Sequence, residues 1–242
     1  MVVMVDRISG APTSDSRNWD VSAVAARIQH TLVSPDANEA DIHRLCEDCL
    51  QHNFDGAMVQ PCWVPLARSL LGGSSVKVCT AFGYPMGGDG LFTKVAAVRD
   101  CVAFGADEIN FMPNLGFLKS GYLDRLGEEI ATVVRAAEGR VVMVMLELGM
   151  LSDEEGRRAA ELSIEAGVAY VKNSSGYGKG GKASVEVVNK LKRWVGDRVK
   201  IKASGGIRTF EQAVALLEAG ADLLGTSASV AIVRGDRGKG EY

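Results

Sequence analysis

The sequence predicts an α/β protein, a (β/α)8 TIM barrel with a short N-terminal helix and a mobile C-terminal tail. Three observations lead there. Eight short apolar, strand-like runs alternate with amphipathic helical runs, which implies βαβ units and a parallel sheet. A weak repeat recurs as "AFGADEI" (103–109), "EAGVAYV" (165–171) and "EAGADLL" (218–224), with "NFDGAMV" (53–59) as a fainter copy. In each, a helix stops at a glycine that can adopt the left-handed conformation, and an apolar strand follows within two or three residues. Finally, eight such units in 242 residues match the usual size of this barrel. The competing architecture is an open, doubly wound sheet, but no strand here runs into a G-x-G-x-x-G turn that opens a helix.

In chain order, residues 1–19 read as a flexible leader and residues 20–28 hold a helix. The strands are expected at His30–Ser34, Gly56–Gln60, Val76–Phe82, Glu108–Pro113, Val141–Leu148, Tyr170–Ser175, Val199–Ser204 and Leu223–Ser227. Helices fill the gaps at 37–52, 63–71, 91–104, 120–137, 153–165, 183–194 and 209–218, with a last turn near 228–233. The helix at 37–52 carries the periodic run "EADIHRLCEDCLQHN", and three later helices stop at or near Gly105, Gly167 and Gly220. One barrel domain therefore spans 20–233. The segment 234–242, "GDRGKGEY" after Arg234, reads as a Gly- and charge-rich flexible tail ending in Tyr242.

The balance of charge narrows the partners. Net charge is −3 and the charges are interspersed, so no basic field invites nucleic acid or an anionic membrane. No apolar run approaches the length of a membrane span, and the first residues lack the order of a signal peptide. The five cysteines, Cys46, Cys49, Cys62, Cys79 and Cys101, are an odd number without a framework pattern. They point to a reducing, cytoplasmic compartment. "CEDC" (46–49) lies within a helical run and reads as two packed thiols; no second C-x-x-C and no suitably spaced histidines support a metal.

In this barrel, active sites form at the carboxyl ends of the strands, so polar residues there carry the chemistry. "AYVKNSSG" (169–176) and "VKIKASGG" (199–206) place Lys172 and Lys202 at matched positions near the ends of adjacent strands. Two ammonium groups in one pocket disfavour each other's protonation, and burial adds to the effect. A neutral lysine amine is a nucleophile toward carbonyls and forms a Schiff base. The cationic imine is an electron sink, which is the chemistry of a class I aldolase. The alternative is that both lysines snorkel to water.

Strand seven ends in "SGG" (Ser204, Gly205, Gly206) and strand eight in "GTSAS", with Gly225, Thr226 and Ser227. Loops after these two strands are a frequent phosphate site in this fold. Glycines permit close backbone approach, and the short helix from Ala228 points its amides the same way. "GYGKGGK" (176–182) could close over the same anion, with Lys179 nearby. The alternative is that the glycines only make tight turns.

At this point the sequence resembles the deoxyribose-phosphate aldolase family. "HTLVSPDA" (30–37), "PCWVPLARSLL" (61–71), "VKVCTAFGYPMG" (76–87), "GADEI" (105–109), "LKSG" (118–121), "SDEE" (152–155), "VKNSSG" (171–176) and "KASGGIRT" (202–209) follow in family order. The resemblance covers most of the chain and is specific as a set. It implies a class I Schiff-base aldolase in which Lys172 forms the imine and Lys202 tunes it. The implied reaction is reversible cleavage of 2-deoxyribose 5-phosphate to acetaldehyde and glyceraldehyde 3-phosphate, with no cofactor. Thr31, Ser174, Gly176 and the glycine and hydroxyl residues of strands seven and eight are the implied substrate and phosphate contacts. Some relatives use a flexible tail tyrosine as a proton donor, the place of Tyr242, and homo-oligomers are common in such enzymes. Glu147 also matches a family residue.

Several pocket positions depart from the family pattern. Asn110 stands at the usual relay aspartate, and an amide cannot exchange a proton at neutral pH. Gln29 stands at a usual aspartate, Met58 at a usual cysteine, Met143 at a usual lysine and Asn173 at a usual threonine. These changes leave two alternatives open: an aldolase or lyase acting on a different carbonyl pair, or a sugar-phosphate-binding barrel without turnover. Retention of both lysines argues against the second, because two unused ammonium groups in one pocket repel each other.

Overall fold

The computed structural model describes residues 19–179 and 181–236. Eight parallel strands close into a barrel in chain order: β1 (Ile28–Leu32), β2 (Gly56–Val59), β3 (Lys77–Phe82), β4 (Glu108–Phe111), β5 (Val141–Met145), β6 (Tyr170–Lys172), β7 (Lys200–Ser204) and β8 (Leu223–Thr226). The closing pair is β1 with β8, where Gln29 lies beside Gly225. Around the barrel run α1 (Val21–Ala25), α2 (Glu39–His52), α3 (Val64–Leu71), α4 (Leu91–Ala103), α5 (Leu115–Lys119) and α6 (Leu123–Ala136). They are followed by α7 (Asp153–Glu165), α8 (Val185–Val195), α9 (Phe210–Glu218) and α10 (Ser229–Arg234).

Several helix starts are fixed by local side-chain chemistry. Asn38, Ser152 and Thr209 form capping boxes with Asp41, Glu155 and Gln212, which satisfy amides left over at the starts of α2, α7 and α9. The inner faces of the helices pack on the outward residues of the strands. Ile42, Leu45 and Cys49 of α2, Val98 of α4 and Leu191 of α8 join Val59, Val78, Val144 and Val171 in one buried shell. Each such aliphatic side chain contributes about 1.5–3 kcal/mol when fully buried. The core therefore lies between barrel and helices, and it holds the strands rigidly enough to aim what they carry inward.

Inside the barrel the pattern differs. Side chains alternate along a strand, and the inward positions carry Gln29, Thr31, Met58, Lys77, Cys79, Glu108, Asn110, Met143, Lys172 and Lys202 in place of an unbroken set of aliphatics. Gly56 makes this possible: a Cβ there would meet the Cys79 sulfur at 2.8 Å and the Lys77 carbonyl at 2.9 Å.

Several elements are shorter than the sequence suggests. Strand six was expected to run to Ser175, but pairing stops at Lys172. Beyond it the Ser175 amide is bonded by the Glu147 carboxylate, and Asn173 turns its side chain to the Gly181 and Ser204 carbonyls. Strand five ends at Met145, because Glu147 adopts a left-handed conformation (φ 49°) before a short 3-10 turn at Leu148–Met150. The helix expected at 120–137 begins at Leu123; Gly121 (φ 73°) separates it from α5, which Asn114 caps. Of the expected leader only Trp19 is described, and it packs on the core. Of the tail, Arg234 ends α10, and residues 237–242, Tyr242 included, lie outside the described residues. Cys46 and Cys49 sit on the buried face of α2; burial pushes the Cys46 thiol up to about 11 and Cys49 higher still.

Candidate active site

Lys172 and Lys202 are direct neighbours across β6 and β7. Lys172 is 2% exposed and Lys202 fully buried. Burial is the main force that holds the Lys172 amine well below the ordinary lysine range, the charge of Lys202 lowers it further, and Glu147 partly opposes them. Lys202 is lowered too, chiefly by burial, with Cys79, Glu108 and Asp55 pulling the other way. Its stem lies close over position 225 on β8, which has no side chain: a Cβ there would stand 3.2 Å from Lys202 Cε and 3.2 Å from Ser204 Cβ. The Lys172 ammonium position lies 5.4 Å from the centre of the Tyr84 ring.

Beneath the lysines lies a polar floor that the sequence reading did not anticipate. Lys202 Nζ donates to the Gln29 amide oxygen. The Gln29 amide nitrogen donates to Glu108 Oε2 at 2.7 Å and to Asp55 Oδ2 at 2.9 Å. Lys77 Nζ closes the cluster, 2.7 Å from Asp55 Oδ1 and 3.2 Å from Glu108 Oε1. Thr31 donates to the Gln29 carbonyl at 3.0 Å, so its hydroxyl helps hold this strand.

Asn110 sits two residues past Glu108 on the same inward face, and its Cα partner on β5 is Met143. The two positions at which the resemblance implied a carboxylate and a lysine are thus adjacent, and here they hold an amide beside a thioether. Asn110 is 1% exposed, and neither polar atom of its side chain has a hydrogen-bond partner. Buried polar groups are normally satisfied; among the described residues this amide is an exception at the carboxyl end of the barrel. Met58 lies against Cys79 and Ala81 under Tyr84.

The glycine loops gather beside β6 and β7. Gly176, Gly205 and Gly206 have φ of 88°, 96° and 77°, a region that favours glycine. Most of the hydroxyls there are engaged within the chain. Ser174 Oγ donates to Glu147 Oε1 at 3.1 Å and accepts from the Gly176 amide at 3.0 Å. Ser204 Oγ donates to the Ser174 carbonyl at 2.7 Å, and Thr226 Oγ1 to the Ile207 carbonyl at 2.8 Å. Ser227 Oγ is shielded from solvent and has no partner. The cation placed beside Gly206 is Lys182, whose Cδ is 3.3 Å from where a Gly206 Cβ would stand.

The mouth of the barrel opens into a cavity of about 430 Å³ walled by Val33, Gln60, Phe82, Tyr84, Pro85 and Tyr177, among others. Tyr177, from the loop after β6, reaches across it and donates to the Val33 carbonyl at 3.1 Å. Tyr84 joins this cavity to Lys172. Proline and tyrosine in "GYPMG" were the available signal for this wall.

A closed (β/α)8 barrel with two buried amines in register at its carboxyl end belongs with the barrel enzymes that act on carbonyl compounds. The chain matches the DeoC/LacD family of aldolases over residues 24–235 and belongs to that family; it is an aldolase, hence a lyase. It is 45% identical over 213 residues to a deoxyribose-phosphate aldolase of Brevibacillus brevis, covering 88% of this chain and 96% of the relative. The corresponding enzyme of Carboxydothermus hydrogenoformans is 44% identical over 216 residues, with 88% and 94% covered. Among solved structures, the tetrameric deoxyribose phosphate aldolase of Aeropyrum pernix superposes with a TM-score of 0.82 at 32% identity, covering 89% of this chain and 91% of that one. No helix among the described residues is long and apolar enough to cross a membrane.

Proposed function

We propose that this aldolase works through a Schiff base on Lys172 and cleaves 2-deoxyribose 5-phosphate, reversibly, to acetaldehyde and glyceraldehyde 3-phosphate. The observation that carries the reading is the buried Lys172 amine, held well below the ordinary lysine range by burial and by its register partner Lys202. The names of the relatives support the substrate.

The neutral Lys172 amine adds to the substrate aldehyde, forming the C–N bond and a carbinolamine. Lys202, as ammonium, supplies the proton with which the hydroxyl leaves as water, and a cationic imine remains. A base then takes the proton of the C3 hydroxyl, and the C2–C3 bond breaks. Its electron pair enters the imine to give an enamine, and glyceraldehyde 3-phosphate departs. Protonation of the enamine carbon and hydrolysis release acetaldehyde and restore Lys172. The Tyr84 ring face, 5.4 Å from Lys172 Nζ, favours a cation there.

The phosphate is assigned to Gly205, Gly206, Gly176, Gly225 and Ser227, with Lys182 as the nearby cation; Ser174, Ser204 and Thr226 hold these loops in shape. Asn110 cannot move the proton, but its unpartnered amide suits a substrate hydroxyl. The proton itself is left to water or to Tyr242 of the tail. No cofactor is needed, since the imine supplies the electrophile. The unpaired thiols fit a cytoplasmic enzyme, and the tetrameric relative is consistent with a homo-oligomer.

A second reading, an aldolase for a different aldehyde pair, is favoured by the adjacent changes at Asn110 and Met143. The discriminating experiment couples glyceraldehyde 3-phosphate release to a dehydrogenase assay with 2-deoxyribose 5-phosphate as substrate. Turnover that vanishes in Lys172→Leu supports the first reading. An enzyme inert to this sugar phosphate that still turns over other aldehydes supports the second.

A further inference from the structure

Among the described residues, Gln29 is the one link between Lys202 and the charged floor with hydrogen bonds on both sides. Carboxylates can only accept, so the amide nitrogen must face Glu108 and Asp55, and its oxygen must face Lys202. Both hydrogens of that nitrogen are used. The bridge is fully buried and cannot rotate without leaving two carboxylate oxygens unpaired. A carbonyl accepts equally from an amine or an ammonium, so the bridge tolerates both states of Lys202. A carboxylate at this place would add a third anion beside Glu108 and Asp55.

We propose that Gln29 is a positioning residue: its amide fixes Lys202 against Lys172 and couples it to the Asp55–Glu108–Lys77 cluster, so that charge on the barrel floor sets the pH range in which the lysine pair works. This rests on the imine reading of Lys172 and extends it to residues that touch no substrate. The charged and titratable groups facing Lys202 are Lys172 on β6, Cys79 and Lys77 on β3, Glu108 on β4 and Asp55 before β2. Glu147 faces Lys172. Burial pushes the Cys79 thiol well above the ordinary thiol range.

The coupling has a sign. Removing the Glu108 charge weakens Lys202's hold on its proton, and removing the Lys77 charge strengthens it. The test measures the rate at which cyanoborohydride traps acetaldehyde on the protein as a function of pH, in the parent, Glu108→Gln and Lys77→Met. Each variant is compared with the parent under the same reductant. The alkaline limb, where Lys202 loses the proton needed for dehydration, should move to lower pH in Glu108→Gln and to higher pH in Lys77→Met. Each shift should be at least about half a pH unit. Gln29→Met should lower the plateau and reduce the Glu108→Gln shift, because Lys202 is then no longer held toward the cluster. Limbs that stay in place, or that move the same way in both variants, overturn the coupling, because a merely structural loss has no sign. If Glu108→Gln fails to fold, Lys77→Met carries the test, since its side chain is 40% exposed. No adduct in the parent at any pH overturns the imine reading itself, and this proposal with it.

Discussion

Replacing Lys172 with methionine should abolish catalysis and make the protein more stable at neutral pH. In the unfolded chain a lysine holds its proton up to about pH 10.4. In the folded chain burial, and then the charge of Lys202, make Lys172 give it up earlier. Between those two points the unfolded state binds more protons, so parent stability rises with pH and is lost as pH falls. At pH 7 the cost of holding this amine cannot exceed that of deprotonating an ordinary lysine, about 4.6 kcal/mol. Methionine has similar length, carries no charge and would meet the apolar neighbours Met145 and Tyr84. The expected gain is about 1–4 kcal/mol at pH 7, or about 2–4 °C in melting temperature for each kcal/mol at this size. Urea and thermal melts between pH 7 and 10 would measure it. The gain should shrink as pH approaches 10. A variant no more stable than the parent at pH 7, or a gain independent of pH, would refute the claim that Lys172 is a destabilised amine.

Two further substitutions separate site from scaffold. Gly225→Ala would press a methyl group to 3.2 Å from Lys202 Cε, and it should lower kcat about tenfold or more while costing about 1–3 kcal/mol of stability. Steady-state kinetics beside a thermal melt would show both, and unchanged kcat would mean that Lys202 need not sit where it does. Lys94→Met would strand the buried Glu129 carboxylate, now 2.8 Å from Lys94 Nζ between α4 and α6. The loss expected is about 3–5 kcal/mol at neutral pH, read from the urea midpoint, with the remaining folded enzyme keeping its KM.

The barrel was legible because its signals are local. Glycine stops followed by apolar strands recur in several units, and the echo of "VKNSSG" in "KASGG" placed Lys172 beside Lys202 thirty residues apart, where the register sets them. The end of strand six was not legible, because the partner that ends it, Glu147, lies 28 residues away from Ser175. The helix Leu115–Lys119 is too short for periodicity to announce it. The charged floor draws Gln29, Asp55, Lys77 and Glu108 from four separate segments; Gln29 stood out only as a departure, and the other three read alone as ordinary polar residues near strand ends. The Lys182 stem beside Gly206 was not singled out, because a glycine-rich loop sets no direction until it is folded. The pairing of Asn110 with Met143 was visible as two departures; only the register of β4 and β5 made them one change.

The central claim is that Lys172 is the imine-forming residue, and borohydride reduction tests it most directly. The protein is incubated with acetaldehyde, reduced, digested and mapped by mass spectrometry. The account predicts one ethyl-bearing lysine, in the peptide containing Lys172, and no such adduct in Lys172→Leu. An adduct confined to another lysine, or none at all, would contradict it.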